Sequence, residues 1–136
     1  MIAAYNFNKC WRAKLARWKK RMTIREDRKD GRVPKIGDVF RGYVGMRTKN
    51  CELVVEGVVS RVRRIAVARV EKLDEISVWI DGVLLDAAAV AALAVQDGFA
   101  SVEDFFEWFV PSGKDDFRGW IIEWNELPAL GGGRES

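Results

Sequence analysis

Between Leu53 and Val70 the chain reads Leu-Val-Val-Glu-Gly-Val-Val-Ser-Arg-Val-Arg-Arg-Ile-Ala-Val-Ala-Arg-Val. Val and Ile are stiff at χ1 and pack well on a pleated surface, so a run this branched predicts extended strand. Gly57 inside it predicts a bulge or bend of the kind that barrel corners require. The rest of the chain must supply partners for that strand.

Those partners are visible as shorter signals. Val39 to Val44 predicts a strand, followed by a donor-rich turn from Gly45 to Asn50. Ile76 to Leu85 holds two apolar stretches around Asp81-Gly82, a strong hairpin signal. Phe117 to Trp124 predicts a closing strand with Arg118, Trp120, Ile122 and Trp124 on one face. Three helices are expected. Apolar Trp11, Leu15 and Trp18, followed by Met22, recur at helical spacing from Asn8 to Lys20, which places that stripe in the core. Asp86 to Gln96 is Ala-rich with Asp86 as N-cap and Gly98 near its end. Ser101-Val-Glu-Asp opens a third helix that runs to Val110, with Phe105, Phe106, Trp108 and Phe109 expected in the core. The expectation is an α+β fold built on a small, mostly antiparallel barrel flanked by helices. One domain over residues 1–126 would precede a tail, 127–136, Gly-rich from Gly131.

Charge is unevenly distributed. Lys9 to Lys35 holds twelve Lys/Arg against three Asp/Glu, a balance of +9. The chain after Lys35 has eleven basic and seventeen acidic residues, a balance of −6. Such asymmetry favours a phosphate-bearing partner over the first third of the chain, the ordinary alternative being a solvated helix face. Histidine is absent, which removes Ser-His-Asp and Cys-His chemistry and leaves Lys, Thr, Ser, Tyr and carboxylates for any reaction. Two scattered cysteines, Cys10 and Cys51, are too few for a zinc site, so no metal or cofactor is expected. No apolar run approaches a membrane span and no signal-peptide pattern opens the chain, so the expectation is a cytoplasmic protein with free thiols. The oligomeric state stays open, with a monomer as the default.

Chemistry concentrates in Lys20-Arg-Met-Thr-Ile-Arg25. Strand alternation puts Arg21, Thr23 and Arg25 on one face and Met22 and Ile24 on the other. The apolar pair enters a core while a hydroxyl and guanidiniums share a space. The polar stretch from Glu26 to Pro34 predicts an exposed loop, able to act as a flap.

Lys20-Arg-Met-Thr-Ile-Arg25, Gly37-Asp38 before a strand, Arg47-Thr48-Lys49, and Asp97-Gly98-Phe99 before a helix together resemble the ASCH domain, a family of the PUA-like superfamily. The resemblance covers about Phe7 to Trp124 and is to the stand-alone versions found in phages and prophages. It implies a PUA-like barrel and a cleft for RNA, single-stranded DNA or a modified nucleotide. Within the family, a small amidohydrolase deacetylates acetylcytidine with a Lys, a Thr nucleophile and a Glu. Its Lys and Thr fall at Lys20 and Thr23, and its Glu at Asp97, one methylene shorter. Ribonuclease activity is also proposed for some members.

Two functions follow as expectations. In the binding one, Arg12, Lys19, Lys20, Arg21, Arg25 and Arg47, with Thr48 and Lys49, hold nucleic-acid phosphates, while Thr23 and Asp97 meet base edges. Tyr43 or Trp120 would offer stacking. In the amidohydrolase one, Thr23 attacks an acyl carbon, neutral Lys20 is the general base, and Asp97 positions water or protonates the leaving amine. An interaction module that occupies a host factor is a third reading.

Overall fold

The structure, a computed structural model, describes residues 1–70 and 75–127. Leu127 is thus the one described residue of the expected tail. The elements are β1 (Ile2–Phe7), a 3-10 turn (Lys9–Trp11), α1 (Arg12–Ala16), β2 (Met22–Glu26), β3 (Val39–Val44), β4 (Glu52–Val70), β5 (Glu75–Ile80), β6 (Val83–Leu84), α2 (Ala87–Gln96), α3 (Val102–Phe109) and β7 (Asp116–Glu126). The fold is α+β, and its sheet is mostly antiparallel in the order β1-β3-β4-β5-β6, with β7 beside β2 and β4. Among the described residues no pairing joins β1 to β6, so the ladder stays open where closure into a barrel was expected. No described helix is long and apolar enough to cross a membrane.

Two compact units interleave along the chain. One comprises Met1–Arg21, Pro34–Ser60 and the described residues from Glu123 onward; the other comprises Met22–Val33 and Arg61–Ile122.

In the first unit β1 runs parallel to β3, Ile2 opposite Val39 through Phe7 opposite Val44. The register of β3 against β4 shifts between Gly42 and Tyr43. Aromatics fill this core: Phe40 stacks on Trp124 at 3.9 Å between ring centroids, and Phe7 meets both edge-on. Gly57 is fixed by close approach, because a Cβ there would collide with the Asn125 carbonyl oxygen.

In the second unit β4 continues against β5, Ile65 opposite Ile80 through Val70 opposite Glu75, and Asp81-Gly82 turns the chain into β6 as the hairpin signal predicts. Both turn residues hold positive φ, as this tight turn demands. The Asp86 carboxylate accepts from the Ala89 amide at 2.8 Å, and the Ser101 hydroxyl accepts from the Asp104 amide at 3.1 Å. These caps set the starts of α2 and α3. Gly98 (φ +95°) ends α2, with the Phe99 amide donating to the Ala94 carbonyl. Phe105, Phe109, Leu93 and Phe117 pack with Met22 and Ile24 in the core. Trp108 departs from expectation: it points outward from α3. Along β7 alternation fails at Ile121 and Ile122, both fully buried, so the face expected to carry Arg118 through Trp124 changes from exposed to buried.

Candidate functional site

In the first unit the basic segment forms a shorter helix than its periodicity predicts. The chain leaves α1 after Ala16 because Trp18 takes a φ of +60°. The Trp18 amide then donates to the Leu15 carbonyl (3.1 Å) and the Lys19 amide to the Lys14 carbonyl (2.8 Å). This is the Schellman closure, with Trp where Gly is usual. Of the expected apolar stripe, Leu15 enters this unit's core, Met22 belongs to β2, and both indoles are half-buried.

Each of those indoles carries cations. The Lys20 ammonium lies 4.8 Å from the Trp11 centroid, with Lys14 at 5.5 Å. The Arg21 guanidinium lies 5.4 Å from the Trp18 centroid, and its Nε donates to the Trp18 carbonyl at 3.0 Å. Cation–π attraction therefore organises the end of the segment. The sequence reading missed this role for Trp11, since nine residues of spacing to Lys20 carry no periodic signal.

Arg47, Thr48 and Lys49 sit in the exposed turn between β3 and β4. The Thr48 hydroxyl donates to the Gly45 carbonyl at 2.9 Å and accepts from the Asn50 amide at 3.1 Å, so it shapes the turn. The Met46 amide donates to the Asn6 side chain at 2.9 Å, and Arg12 grips Glu52, with Nε to Oε1 at 2.9 Å. These contacts bring the turn and α1 to the same end of β1. Arg12, Arg41 and Arg64 have carboxylate partners in Glu52, Glu56 and Asp27. Lys9, Arg17, Lys19, Arg47 and Lys49 are exposed and have no acidic partner among the described residues.

In the second unit Thr23 and Arg25 share a face of β2, as alternation predicts. The Arg25 Nε donates to the Thr23 hydroxyl oxygen at 3.1 Å. That bond leaves the hydroxyl proton free to be given to another acceptor. Met22 and Ile24 fill the core from the opposite face. Gly119 of β7 lets β2 approach, because a Cβ there would strike the Arg25 carbonyl oxygen. Asp97 is the C-cap residue of α2. The helix dipole disfavours a carboxylate there, so its position is not explained by capping.

Among the described residues the buried polar or charged side chains are Lys20 (6 % exposed), Thr23 (5 %) and Asp97 (6 %). Lys and Asp rarely reach such burial without partners. Lys20, Arg21 and the 47–49 turn belong to the first unit; Thr23, Arg25 and Asp97 belong to the second.

Neither aromatic considered for stacking stands open. Tyr43 is half-buried on β3, and the Arg64 guanidinium covers Trp120 at 4.7 Å from its centroid. Arg64 also grips Asp27, with Nη2 to Oδ2 at 2.7 Å, which anchors the start of the exposed 27–33 loop. The Arg64 hydrogen bond holds the Asp27 carboxyl below the usual carboxylate range. Compared with protein-family models, curated proteins and solved structures, the chain matches none.

Proposed function

We propose that the chain is a nucleic-acid-binding module of ASCH, PUA-like type, taking RNA or single-stranded DNA through the basic surface of its first unit. One observation carries the reading. Five exposed cations, Lys9, Arg17, Lys19, Arg47 and Lys49, have no carboxylate partner among the described residues, while nearby Arg12 and Arg41 are paired. Unpaired surface cations on a rigid scaffold suit phosphates, whose neutralisation releases counterions and drives binding. Titrating labelled single-stranded oligonucleotides tests it by fluorescence anisotropy. The double variant Arg17→Glu/Lys19→Glu should bind at least roughly tenfold more weakly than the parent chain. Equal affinity of the two would overturn the reading.

A second reading has its own support. Lys20, Thr23 and Asp97, the residues at which the resemblance places amidohydrolase chemistry, are each buried while most polar side chains among the described residues are not. On this reading Thr23 is the nucleophile toward an acylated nucleoside, with Asp97 of the same unit as acid. Arg25 donating to the Thr23 oxygen would favour its alkoxide. Release of acetate from acetylcytidine, lost in Thr23→Ala and retained in Arg17→Glu, would support hydrolysis. No release by the unmutated chain across a panel of acylated nucleosides would reject it.

A further inference from the structure

We propose that the surface around Trp108 is a self-association site that takes the cationic segment Lys9–Arg21 of a second copy of this chain. Trp108 is 72 % exposed on α3, and the helix that carries it is held by buried Phe105 and Phe109. Its nearest aromatic neighbour is Phe99, with centroids 6.5 Å apart, and Val95 in the last turn of α2 is 70 % exposed. An indole displayed this way on a rigid helix is the kind of group that anchors interfaces.

Its surroundings are acidic. Glu103, Asp104 and Glu107 are exposed on the same helix and have no cationic partner among the described residues. From Glu75 to Gly113 the sequence holds seven Asp/Glu and no Lys or Arg. Glu103 and Asp104 suit the positive end of the helix, but Glu107, four residues after Glu103, gains nothing from the dipole and repels its neighbour. An exposed indole with Asp104 one turn before it, and Glu103 and Glu107 along the adjacent face, matches one chemistry well: a cation that lies on the ring while its charge meets the acids.

Three of the chain's other five indoles take a cation in that way, while Trp124 stacks on Phe40 instead. Trp11 has Lys20, Trp18 has Arg21 and Trp120 has Arg64. Trp108 has no cation over it among the described residues. The complementary surface is present in the same sequence. Lys9 to Arg21 holds seven Lys/Arg and no acid, and Lys9, Arg17 and Lys19 are exposed without acidic partners. A second copy therefore supplies the occupant at equal concentration. The two surfaces differ, so the contact is heterologous, and rim charges make it fast and sensitive to salt.

Sedimentation velocity over a concentration series at low and high salt tests this without nucleic acid, and so independently of the proposed function. The expected result is association at low salt that fades at high salt and weakens roughly tenfold in Trp108→Ala, a substitution at an exposed position. Glu103→Lys/Glu107→Lys and Arg17→Glu/Lys19→Glu should each fail to associate alone, while their mixture recovers association. Circular dichroism of each variant confirms that it is folded. A single sedimenting species at every concentration would overturn the proposal. So would association indifferent to Trp108→Ala and to the charge exchange, which would place the contact elsewhere.

Discussion

Trp18 adopts φ +60° at a position where glycine is usual, and a non-glycine residue in that region costs about 1–2 kcal/mol. The cost is offset by the indole's contacts, which cover Gly57 and receive the Arg21 guanidinium. This separates strain from packing. Trp18→Leu keeps the strain and loses the flat ring, whereas Trp18→Gly removes both. Chemical denaturation should find Trp18→Gly the more stable of the two by roughly 1 kcal/mol, despite leucine's greater hydrophobicity. A more stable Leu variant would mean that aliphatic burial, not backbone geometry, dominates there. Residue-level chemistry was partly legible beforehand. Period-two alternation correctly separated Thr23 and Arg25 from Met22 and Ile24, because a strand leaves no other arrangement. Trp108 was not legible, since hydrophobicity alone does not tell an inward aromatic from a displayed one.

At the scale of elements, the pairing of β2 with β7 positions Thr23, and Gly119 permits it. A Cβ at Gly119 must push the Arg25 carbonyl away, and overpacking of this kind costs roughly 1–3 kcal/mol. Gly119→Ala should therefore lower the unfolding midpoint and speed amide exchange at Asp27, whose amide donates to the Arg118 carbonyl at 3.0 Å. Unchanged exchange at that amide would contradict the close approach. Helices α2 and α3 were readable from their caps because Asp86, Gly98 and Ser101 act locally. Two elements were not. β1 pairs in parallel with β3, some 37 residues on in register, so nothing near Ile2–Phe7 announces its partner. The first helix was read too long because cations and indoles at helical spacing satisfy the pattern, while the chain turns at Trp18 to bring Lys20 over Trp11.

Across the whole molecule, charge is sorted along the chain, and its ion pairs give stability a direction with pH. Hydrogen bonds from Arg64 and Arg12 depress the carboxyls of Asp27 and Glu52. A carboxyl lowered in the folded state stabilises the fold above its unfolded value, near pH 4, and loses that contribution as pH falls through the folded value. Thermal midpoints should hold from neutral pH to about 5 and fall below about 4. In Arg64→Ala the acid-induced fall should be smaller, because Asp27 no longer has a depressed value to lose. A steeper fall in that variant would assign the pH response to other groups. Both pairs are exposed, so the effect is modest.

The most direct test of nucleic-acid binding by the first unit is the slope of log affinity against log salt for a single-stranded RNA oligonucleotide. Each phosphate neutralised on a single strand contributes about −0.7 to that slope. Engagement of most of Lys9, Arg17, Lys19, Arg47 and Lys49 predicts a slope of roughly −2 to −3.5, reduced in magnitude by about 1.4 in Arg17→Glu/Lys19→Glu. A slope near zero, or one that the double variant leaves unchanged, would contradict it.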